Sequence, residues 1–376
     1  MIKPSDLLTL LKINGIDFFT GVPDSQLKEF CAYLLDTESA NNHVIAPNEG
    51  SAAALAAGYH LATGKTGLVY MQNSGLGNAV NPMTSLADPD VYGIPVVYLI
   101  GWRGRPGVHD EPQHIKQGKI TCELLDLLGI KYVIIDKATD KKSLEAAFTD
   151  NLRGVLDEKK SVALVAMKDC FESETVFEPV SNYSLCREEA IAIIVSRLGT
   201  DDVVVSTTGK ISRELYETRK KTGMGHGRDF LTVGSMGHAS MIALAISEQK
   251  PNKRVWCFDG DGAAIMHLGA VLLTGSRKPK NLIHVLFNNQ AHESVGGFPT
   301  ASVNFDFIAF AKTAGYSAAF QVEDEQGLIS EMRRINSLQG PVFMELNVAN
   351  SSRSDLGRPV TTPVRNKEDF MNYLRG

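Results

Sequence analysis

The chain has 376 residues, of which 43% are hydrophobic and 22% charged, and its formal net charge is −5. Single hydrophobic cores stop growing near ~250 residues, so this length predicts two domains. The composition is that of a folded globular protein and excludes a mostly disordered chain, and the small negative charge argues against nucleic acid as the main partner.

The sequence contains no apolar run long enough to cross a bilayer. The amino terminus, MIKPSDLLTLLKINGIDFF, mixes charge into its apolar positions and lacks the small-residue cleavage site of a signal peptide. We therefore expect a cytoplasmic protein without a membrane partner. The cysteines are widely spaced and form no paired zinc or redox motif, which predicts reduced thiols. They are Cys31, Cys122, Cys170, Cys186 and Cys257.

Short apolar runs alternate with amphipathic stretches of helical length along the whole chain, a pattern typical of parallel sheets covered by helices. In the first half, strands are predicted near residues 17–20, 43–46, 66–71, 95–100, 131–135 and 162–166, and helices notably at 5–13, 49–63 and 140–156. In the second half, a helix is predicted near 186–198 and strands near 203–206, 254–259, 282–287 and 341–347. The sequence therefore predicts an α/β protein with two doubly wound parallel-sheet domains, residues 1–172 and 185–376, joined by a linker at 173–184.

The strongest motif lies in RVWCFDGDGAAIMHLGAVLL, where an apolar strand runs into Gly260, Asp261 and Gly262 and a helix follows at once. The next strand, NLIHVLF, ends in Asn288 and Asn289. Both turns lie at the carboxyl edge of a parallel sheet, so Asp261 and Asn289 can converge on one point. Carboxylate and amide oxygens are ligands that Mg²⁺ prefers. Taken alone, Gly-Asp-Gly is more often a tight turn whose aspartate caps the helix.

With 25 residues between Gly262 and Asn288, the motif resembles the signature of thiamin-diphosphate-dependent enzymes. The fold this resemblance implies is a pyrimidine-binding domain followed by a diphosphate-binding domain. It implies that Mg²⁺ is held by Asp261, Asn289 and the carbonyl of Ala291. It also implies that thiamin diphosphate lies beside Gly260, Gly262 and Ala263.

In the first half, VIAPNEGSAAALAAGYHLATGK places Glu49 at the end of a strand and the start of an alanine-rich helix. This position resembles the family's activating glutamate, whose carboxyl group hydrogen-bonds N1′ of the cofactor's pyrimidine ring. A first-turn glutamate also serves simply as a partner for the helix dipole.

Stretches in both halves resemble the family's loops around the cofactor. In LTVGSMGHASMIALAIS, the resemblance implies that Gly234, Ser235 and Met236 bind the cofactor, with Met236 beneath the bent cofactor molecule. In MQNSGLGNAVNP it assigns Asn73 and Gly75. A methionine before a helix is more often core packing, and glycine or asparagine in a loop needs no function.

Only a short linker separates the two halves, as in the compact two-domain branch of thiamin-diphosphate-dependent 2-oxoacid decarboxylases. The likeness runs from Gly21 to the carboxyl end and is most specific in GWRGRPGVHDEPQH, TTGKISRELYE, NNQAHESVGG and SRSDLGRPVTTP. It implies non-oxidative decarboxylation of a small anionic 2-oxoacid whose second anionic group is a phosphonate rather than a sulfonate. It also implies a homodimer or larger homo-oligomer, with active sites at the subunit interface.

A doubly charged substrate needs several polar and cationic donors in a small space. The candidates for binding it are Ser25, Arg103, Arg105, Lys210, Arg213 and His292. Candidates for moving protons are Asp24, His109 and His114, together with the Asp-Glu-Pro segment between the two histidines. Arginines in loops are equally typical of a solvated surface.

Several alternatives stay open at this point. A sulfonate-specific decarboxylase shares the cofactor site, and a carboligase or oxoacid dehydrogenase component uses the same cofactor. A dinucleotide-binding oxidoreductase is disfavoured because neither half has a full GxGxxG fingerprint after its first strand. A non-catalytic ligand-binding protein on the same fold would be expected to lack Glu49 or Asp261, and both are present.

Overall fold

The apolar runs of the first half become a parallel sheet in the computed structural model, which describes residues 1–181 and 183–376. Its residues fall into two compact units, Met1–Glu178 with Val295–Phe298, and Pro179–Ser294 with Pro299–Gly376. The predicted linker at 173–184 includes Asn182, which lies outside the described residues. Each unit contains a six-stranded parallel sheet with helices, which confirms the predicted fold class.

The first unit has its strands in the order β2-β1-β3-β4-β6-β5, and neighbouring strands pair in parallel. The strands are β1 Phe18–Gly21, β2 His43–Ile45, β3 Gly67–Gln72, β4 Val96–Gly101, β5 Lys131–Ile135 and β6 Val162–Ala166. The central strands β3, β4 and β6 are apolar almost throughout because helices cover both faces of the sheet.

The helices of the first unit are α1 Pro4–Ile13, α2 Lys28–Thr37, α3 Glu49–Thr63, α4 Leu76–Pro82, α5 Pro112–Leu127, α6 Lys141–Phe148 and α7 Gly154–Asp157. Helix α3 begins where the Asn48 side chain accepts the backbone N–H of Ser51, and it ends at Gly64 in the left-handed conformation. The single helix predicted at 140–156 is interrupted, because a π-turn at Thr149–Arg153 separates α6 from α7.

The second unit has its strands in the order β13-β14-β10-β9-β7-β8. The strands of this sheet are β7 Val203–Ser206, β8 Asp229–Leu231, β9 Val255–Gly260, β10 Leu282–Asn288, β13 Ala318–Val322 and β14 Val342–Asn347. The strands β11 Ala291–His292 and β12 Phe298–Pro299 form a separate short pair outside the six-stranded sheets. The helices are α8 Arg187–Val195, α9 Lys210–Lys221, α10 Ala239–Gln249, α11 Asp261–Met266, α12 Gly269–Arg277, α13 Phe307–Ala314, α14 Glu325–Ile335 and α15 Pro363–Arg375.

Both six-stranded sheets have the same topology. When only the strands of each six-stranded sheet are numbered in chain order, and the second sheet is read from β8 to β13, both sheets have the order 2-1-3-4-6-5. The order reverses direction between β1 and β3 in the first unit and between β7 and β9 in the second. Ligands of doubly wound sheets bind outside the carboxyl ends of the strands at such a reversal. The topology therefore directs attention to the residues that follow β1, β3, β7 and β9.

Within the described residues, no helix is long and apolar enough to cross a membrane. All five cysteines are free, and Cys31, Cys170 and Cys257 are buried. Free thiols at all five positions agree with the absence of a paired cysteine motif in the sequence. Burial raises the pKa of these three thiols, which makes them poor nucleophiles.

Candidate functional site

Asp24 lies at the point where the strand order of the first unit reverses. The aspartate follows β1 and is fully buried, and its Oδ1 accepts a hydrogen bond from Gln72 Nε2 at the end of β3, at 2.6 Å. Its Oδ2 accepts the backbone N–H of Gln26 at 3.0 Å. Burial raises the pKa of Asp24, while the bond from Gln72 opposes that rise. A β-carbon at Gly101, the last residue of β4, would lie 2.2 Å from Asp24 Oδ2, so this sheet edge is built around the carboxyl group.

Glu49 begins α3 and is only 5% exposed. Asn78 Nδ2 donates a hydrogen bond of 2.7 Å to Glu49 Oε2. Burial raises the pKa of Glu49 above that of an ordinary glutamate, although the bond from Asn78 opposes the rise. A carboxyl group with a raised pKa can keep its proton and act as a hydrogen-bond donor. Gly75, a predicted cofactor residue, lies against the Glu49 side chain.

Arg103 lies in the connection after β4, and its guanidinium is held by a carboxylate. Its Nε and Nη2 donate to the two oxygens of Asp110 at 2.8 and 2.5 Å, and its Nη1 donates to Ser25 Oγ at 3.0 Å. His114 is buried, and its Nδ1 lies 2.9 Å from Asp110 Oδ1. The structure therefore brings together Ser25, Arg103 and His114, with Asp110 at their centre.

Asp110 belongs to the Asp-Glu-Pro segment that the sequence offered as a source of an acid. Burial alone would raise the pKa of Asp110, but hydrogen bonds from Arg103, His114 and backbone amides hold it well below its usual range. The lowered pKa of Asp110 argues against this residue as the acid, and the source of the acid stays a prediction. His109 is exposed and Arg105 half-buried in the same connection.

Asn73 is fully buried at the end of β3. Its Nδ2 donates to the Arg103 carbonyl at 2.8 Å and to Thr121 Oγ1 at 2.9 Å, and its Oδ1 accepts the Arg103 backbone N–H at 3.2 Å. These bonds use both ends of the amide to lock the connection that carries Arg103. Asn73 thus has a positioning role in this unit, and direct contact with a cofactor stays a prediction.

In the second unit, Asp261 begins α11 directly after β9 and is 2% exposed. Its Oδ2 accepts hydrogen bonds from Thr300 Oγ1 at 2.6 Å and Ser302 Oγ at 2.9 Å. Burial raises the pKa of Asp261, and the two hydroxyl groups oppose the rise. A β-carbon at Gly262 would lie 3.2 Å from both the His292 ring and Thr300, so the start of α11 has little room for a side chain. Gly260 and Ala263 flank this turn.

The paired asparagines after β10 form two successive turns in which each side chain binds the backbone two residues on. Asn288 Oδ1 accepts the N–H of Gln290 at 3.1 Å, and Asn289 Oδ1 accepts that of Ala291 at 3.1 Å. Gln290 has a φ of +57°, which is the left-handed conformation. Asn288 Nδ2 donates to the buried Glu345 of β14, whereas the Asn289 backbone N–H lies beside the Asp261 carboxylate and opposes the rise of its pKa.

The loop before α10 contains Gly234, Ser235 and Met236. Gly234 and Ser235 both have positive φ, +72° and +47°, and the Gly234 N–H donates to Thr208 Oγ1 at 3.0 Å. Thr208 follows β7, so this bond holds the loop at the point where the strand order of the second unit reverses. Met236 is half-buried.

The predicted anion-binding residues of the second unit are largely engaged within the protein. Lys210 Nζ donates to Glu293 Oε1 at 3.1 Å and to Ser352 Oγ at 2.7 Å. Arg213 donates to the carbonyls of Leu356 and Gly357. His292 is buried, its Nε2 has no hydrogen-bond partner among the described residues, and burial lowers its pKa to about 4. The lowered pKa favours a neutral imidazole at His292, and its contact with the substrate stays a prediction.

The partners of these side chains are the functional residues that the sequence did not reveal. Each is distant in the chain from the residue it holds, and a threonine or asparagine alone carries no motif. Gln72 and Asn78 lay inside MQNSGLGNAVNP, Glu214 inside TTGKISRELYE and Glu293 inside NNQAHESVGG, stretches already singled out, but none of the four was assigned a role. The partners are Gln72, Asn78, Arg187, Glu214, Glu293, Thr300 and Ser302.

Comparison with known proteins gives matches over both units. The model of the N-terminal TPP binding domain of thiamine pyrophosphate (thiamin diphosphate) enzymes matches residues 5–126, and that of the C-terminal TPP binding domain matches residues 207–346. A phosphonopyruvate decarboxylase of Streptomyces viridochromogenes is 34% identical over 100% of this chain and 95% of its own. One of Streptomyces hygroscopicus is 32% identical over 99% of this chain and 94% of its own. A sulfopyruvate decarboxylase of Methanosarcina acetivorans is 27% identical over 92% and 91%.

Proposed function

The chain belongs to the family of thiamin-diphosphate-dependent decarboxylases, and we propose that within this family of carboxy-lyases it converts 3-phosphonopyruvate to phosphonoacetaldehyde and carbon dioxide. This reaction would serve the biosynthesis of phosphonates such as 2-aminoethylphosphonate. The observation that supports the substrate most directly is similarity over essentially the whole chain to two phosphonopyruvate decarboxylases, at 34% and 32% identity.

The buried position of Glu49 supports thiamin diphosphate as the cofactor in this proposal. When bound, thiamin diphosphate supplies the carbon nucleophile and the electron sink that decarboxylation of a 2-oxoacid requires. The raised pKa of the buried Glu49 carboxyl suits it to donate a hydrogen bond to N1′ of the cofactor's pyrimidine ring. The bond from Asn78 Nδ2 to Oε2 fixes the direction in which the Glu49 carboxyl group points.

The residues after β9 and β10 fit Mg²⁺. The proposed ligands are the Asp261 carboxylate, the Asn289 amide oxygen and the Ala291 carbonyl, a set of hard oxygen atoms suited to this ion. Asp261 is a buried carboxylate whose pKa is raised by burial, and a cation would relieve that cost. The constricted turn at Gly262 lets backbone amides approach a diphosphate at the start of α11.

For the substrate, we propose that Ser25 and the connection after β4 supply donors to its anionic groups, with Arg103 held in place by Asp110. The sulfonate alternative keeps specific support, because a sulfopyruvate decarboxylase is 27% identical over 92% of this chain. The test is carbon dioxide release by the enzyme loaded with Mg²⁺ and thiamin diphosphate, given phosphonopyruvate, sulfopyruvate or pyruvate separately. Fast release from phosphonopyruvate alone is expected, and no release from it with fast release from sulfopyruvate would overturn the assignment.

We also propose that each active site combines the first unit of one subunit with the second unit of another, in a homodimer or larger homo-oligomer. The proposal predicts complementation between two inactive variants, Glu49→Gln and Asp261→Ala. Random dimers formed from an equal mixture that has been unfolded and refolded together should recover about a quarter of the wild-type activity. Recovery of none, with dimers present, would contradict a shared site.

A further inference from the structure

The Asn289 side chain is held at both ends of its amide group. Its Oδ1 accepts the backbone N–H of Ala291 at 3.1 Å, and its Nδ2 donates to Glu293 Oε2 at 3.3 Å. A backbone N–H only donates and a carboxylate only accepts. If the amide were flipped, its Nδ2 would face the Ala291 N–H and its Oδ1 would face the Glu293 carboxylate, and neither hydrogen bond could form. Glu293 therefore helps to fix the direction in which the Asn289 oxygen points. That oxygen keeps a second lone pair after the bond from Ala291.

Glu293 is itself held between two cations. Arg187 Nη1 donates to its Oε2 at 2.5 Å, and Lys210 Nζ donates to its Oε1 at 3.1 Å. The Glu293 side chain is 10% exposed, so neither bond is an ordinary surface ion pair. A carboxylate fixed through both oxygens has little freedom to turn away from Asn289.

Arg187 is anchored in turn by Glu214. The guanidinium at the start of α8 makes a two-point bond to Glu214 of α9, at 2.7 and 2.8 Å. The two side chains are 5% and 2% exposed. The cluster contains two carboxylates, Glu214 and Glu293, and two cations, Arg187 and Lys210. Its charges therefore sum to zero, as expected for charges that are buried. The contacts thus run without a break from α9 through Arg187 and Glu293 to Asn289.

We propose that Glu293 is a positioning residue for the metal site, which holds the Asn289 oxygen toward Mg²⁺ while Arg187, fixed by Glu214, holds Glu293. This inference rests on the proposed role of Asp261 and Asn289 as metal ligands. Groups that orient metal ligands typically account for ~10- to 100-fold in metal affinity. Neither Glu293 nor Arg187 needs to touch the metal, the cofactor or the substrate for this effect.

The test is the Mg²⁺ affinity of Glu293→Gln, measured by calorimetric titration at saturating thiamin diphosphate. The variant keeps the size of the side chain but removes the charge between Arg187 and Lys210, so the dissociation constant should rise ~10-fold or more. Glu293→Asp keeps the charge at a shorter reach and should give an intermediate value. The matched control is Glu217→Gln, which removes a carboxylate bound to Arg353 at 2.8 Å in the same unit and should leave the affinity unchanged.

A second readout separates positioning from chemistry. At saturating Mg²⁺, kcat of Glu293→Gln should stay close to wild type, while the Mg²⁺ concentration for half activity rises. An Mg²⁺ dissociation constant within about twofold of wild type would overturn the proposal. If Glu293→Gln does not fold, Arg187→Lys decides by the same criterion, because lysine keeps the charge and loses the two-point bond.

The same titration distinguishes this inference from the proposed function. Wild-type protein that binds no Mg²⁺, or Asp261→Ala that binds it as tightly as wild type, would refute the metal site itself. Normal binding by wild type, loss in Asp261→Ala and unchanged affinity in Glu293→Gln would refute only the role of Glu293.

Discussion

Only glycine fits at position 75, because the side chain of Glu49 occupies the space where the β-carbon of Gly75 would lie. A β-carbon at position 75 would lie 2.4 Å from both Cγ and Oε1 of Glu49, closer than non-bonded atoms approach. Gly75 has a φ of −72°, which any residue can adopt, so space and not backbone conformation excludes larger residues here. The glycine of the NSGLGN loop and the glutamate of α3 therefore form one structural unit.

Gly75→Ala should displace the Glu49 carboxyl group and reduce decarboxylation, because the catalytic contribution of a positioned acid, roughly 10²- to 10⁴-fold, depends on its geometry. The measurement is kcat with phosphonopyruvate, alongside far-UV circular dichroism to verify folding. Gly77→Ala is the matched control, since a β-carbon at Gly77 meets nothing within 4 Å. Equal activities of the two folded variants would show that the contact with Gly75 does not set the position of Glu49.

Glu49→Gln should change the pH dependence of stability in a defined direction. The pKa of Glu49 is raised by burial, so its neutral form stabilises the fold fully below the unfolded pKa, near ~4.3, and this contribution is lost as pH rises through the folded pKa. Glutamine never ionises and has no such loss. The difference in Tm, variant minus wild type, should therefore increase from about pH 4 upward and level off above the folded pKa.

Thermal unfolding from pH 4 to pH 8 measures this trend. Glu145→Gln changes an exposed glutamate of α6 and should show no comparable increase. A Tm difference for Glu49→Gln that stays constant or falls with pH would mean that the carboxyl group is not kept neutral by the fold.

The sequence predicted most of the scaffold. Long apolar runs such as 162–166 and 203–206 match their strands, because a strand buried on both faces leaves a continuous apolar signal. Strands β8 and β13 were not predicted. Both lie at a sheet edge. β8 has only three residues and begins with the charged Asp229, and Val322 is the one buried residue of β13, so their sequences carry little of that signal.

The site was predicted only in part, and for a physical reason. Asp261 and Glu49 lie at strand-to-helix turns, so the predicted topology alone locates each at the carboxyl edge of its sheet. Their partners Thr300 and Asn78 reach them through tertiary contacts that no local pattern encodes. The ion pairs of Arg103 with Asp110 and of Lys210 with Glu293 were not predicted either, because no local pattern links the two members of each pair.

Thr300→Val should weaken binding of Mg²⁺ without unfolding the protein. The change removes the hydroxyl group that donates to Asp261 Oδ2 at 2.6 Å and keeps the side-chain volume, while Ser302 retains its own bond. Loss of one group that orients a metal ligand should raise the Mg²⁺ dissociation constant ~10-fold, as measured by titration with thiamin diphosphate present. Thr313→Val, on the exposed face of α13, is the control. Unchanged affinity in Thr300→Val would exclude Thr300 from the metal site.

Asp110→Asn should destabilise the first unit by about 1–3 kcal/mol at neutral pH, because Arg103 and His114 lose a charged acceptor. Although burial opposes it, the bonds to Arg103 and His114 hold the pKa of Asp110 below its unfolded value. Its stabilisation is therefore complete above the unfolded pKa, near ~3.9, and is lost as pH falls toward the folded pKa. The difference in unfolding free energy between wild type and variant should shrink below about pH 4.

Urea unfolding at pH 7 and pH 3.5 measures this difference for the first unit. The control is Asp157→Asn, which removes another aspartate paired with an arginine, Arg153, where the two side chains are 61% and 44% exposed. Exposed pairs contribute about 0–1 kcal/mol, so this variant should be close to wild type at both pH values. Two results would mean that Asp110 does not act through its charge. One is a loss of unfolding free energy in Asp110→Asn as small as in the control, and the other is a large loss of the same size at pH 7 and pH 3.5.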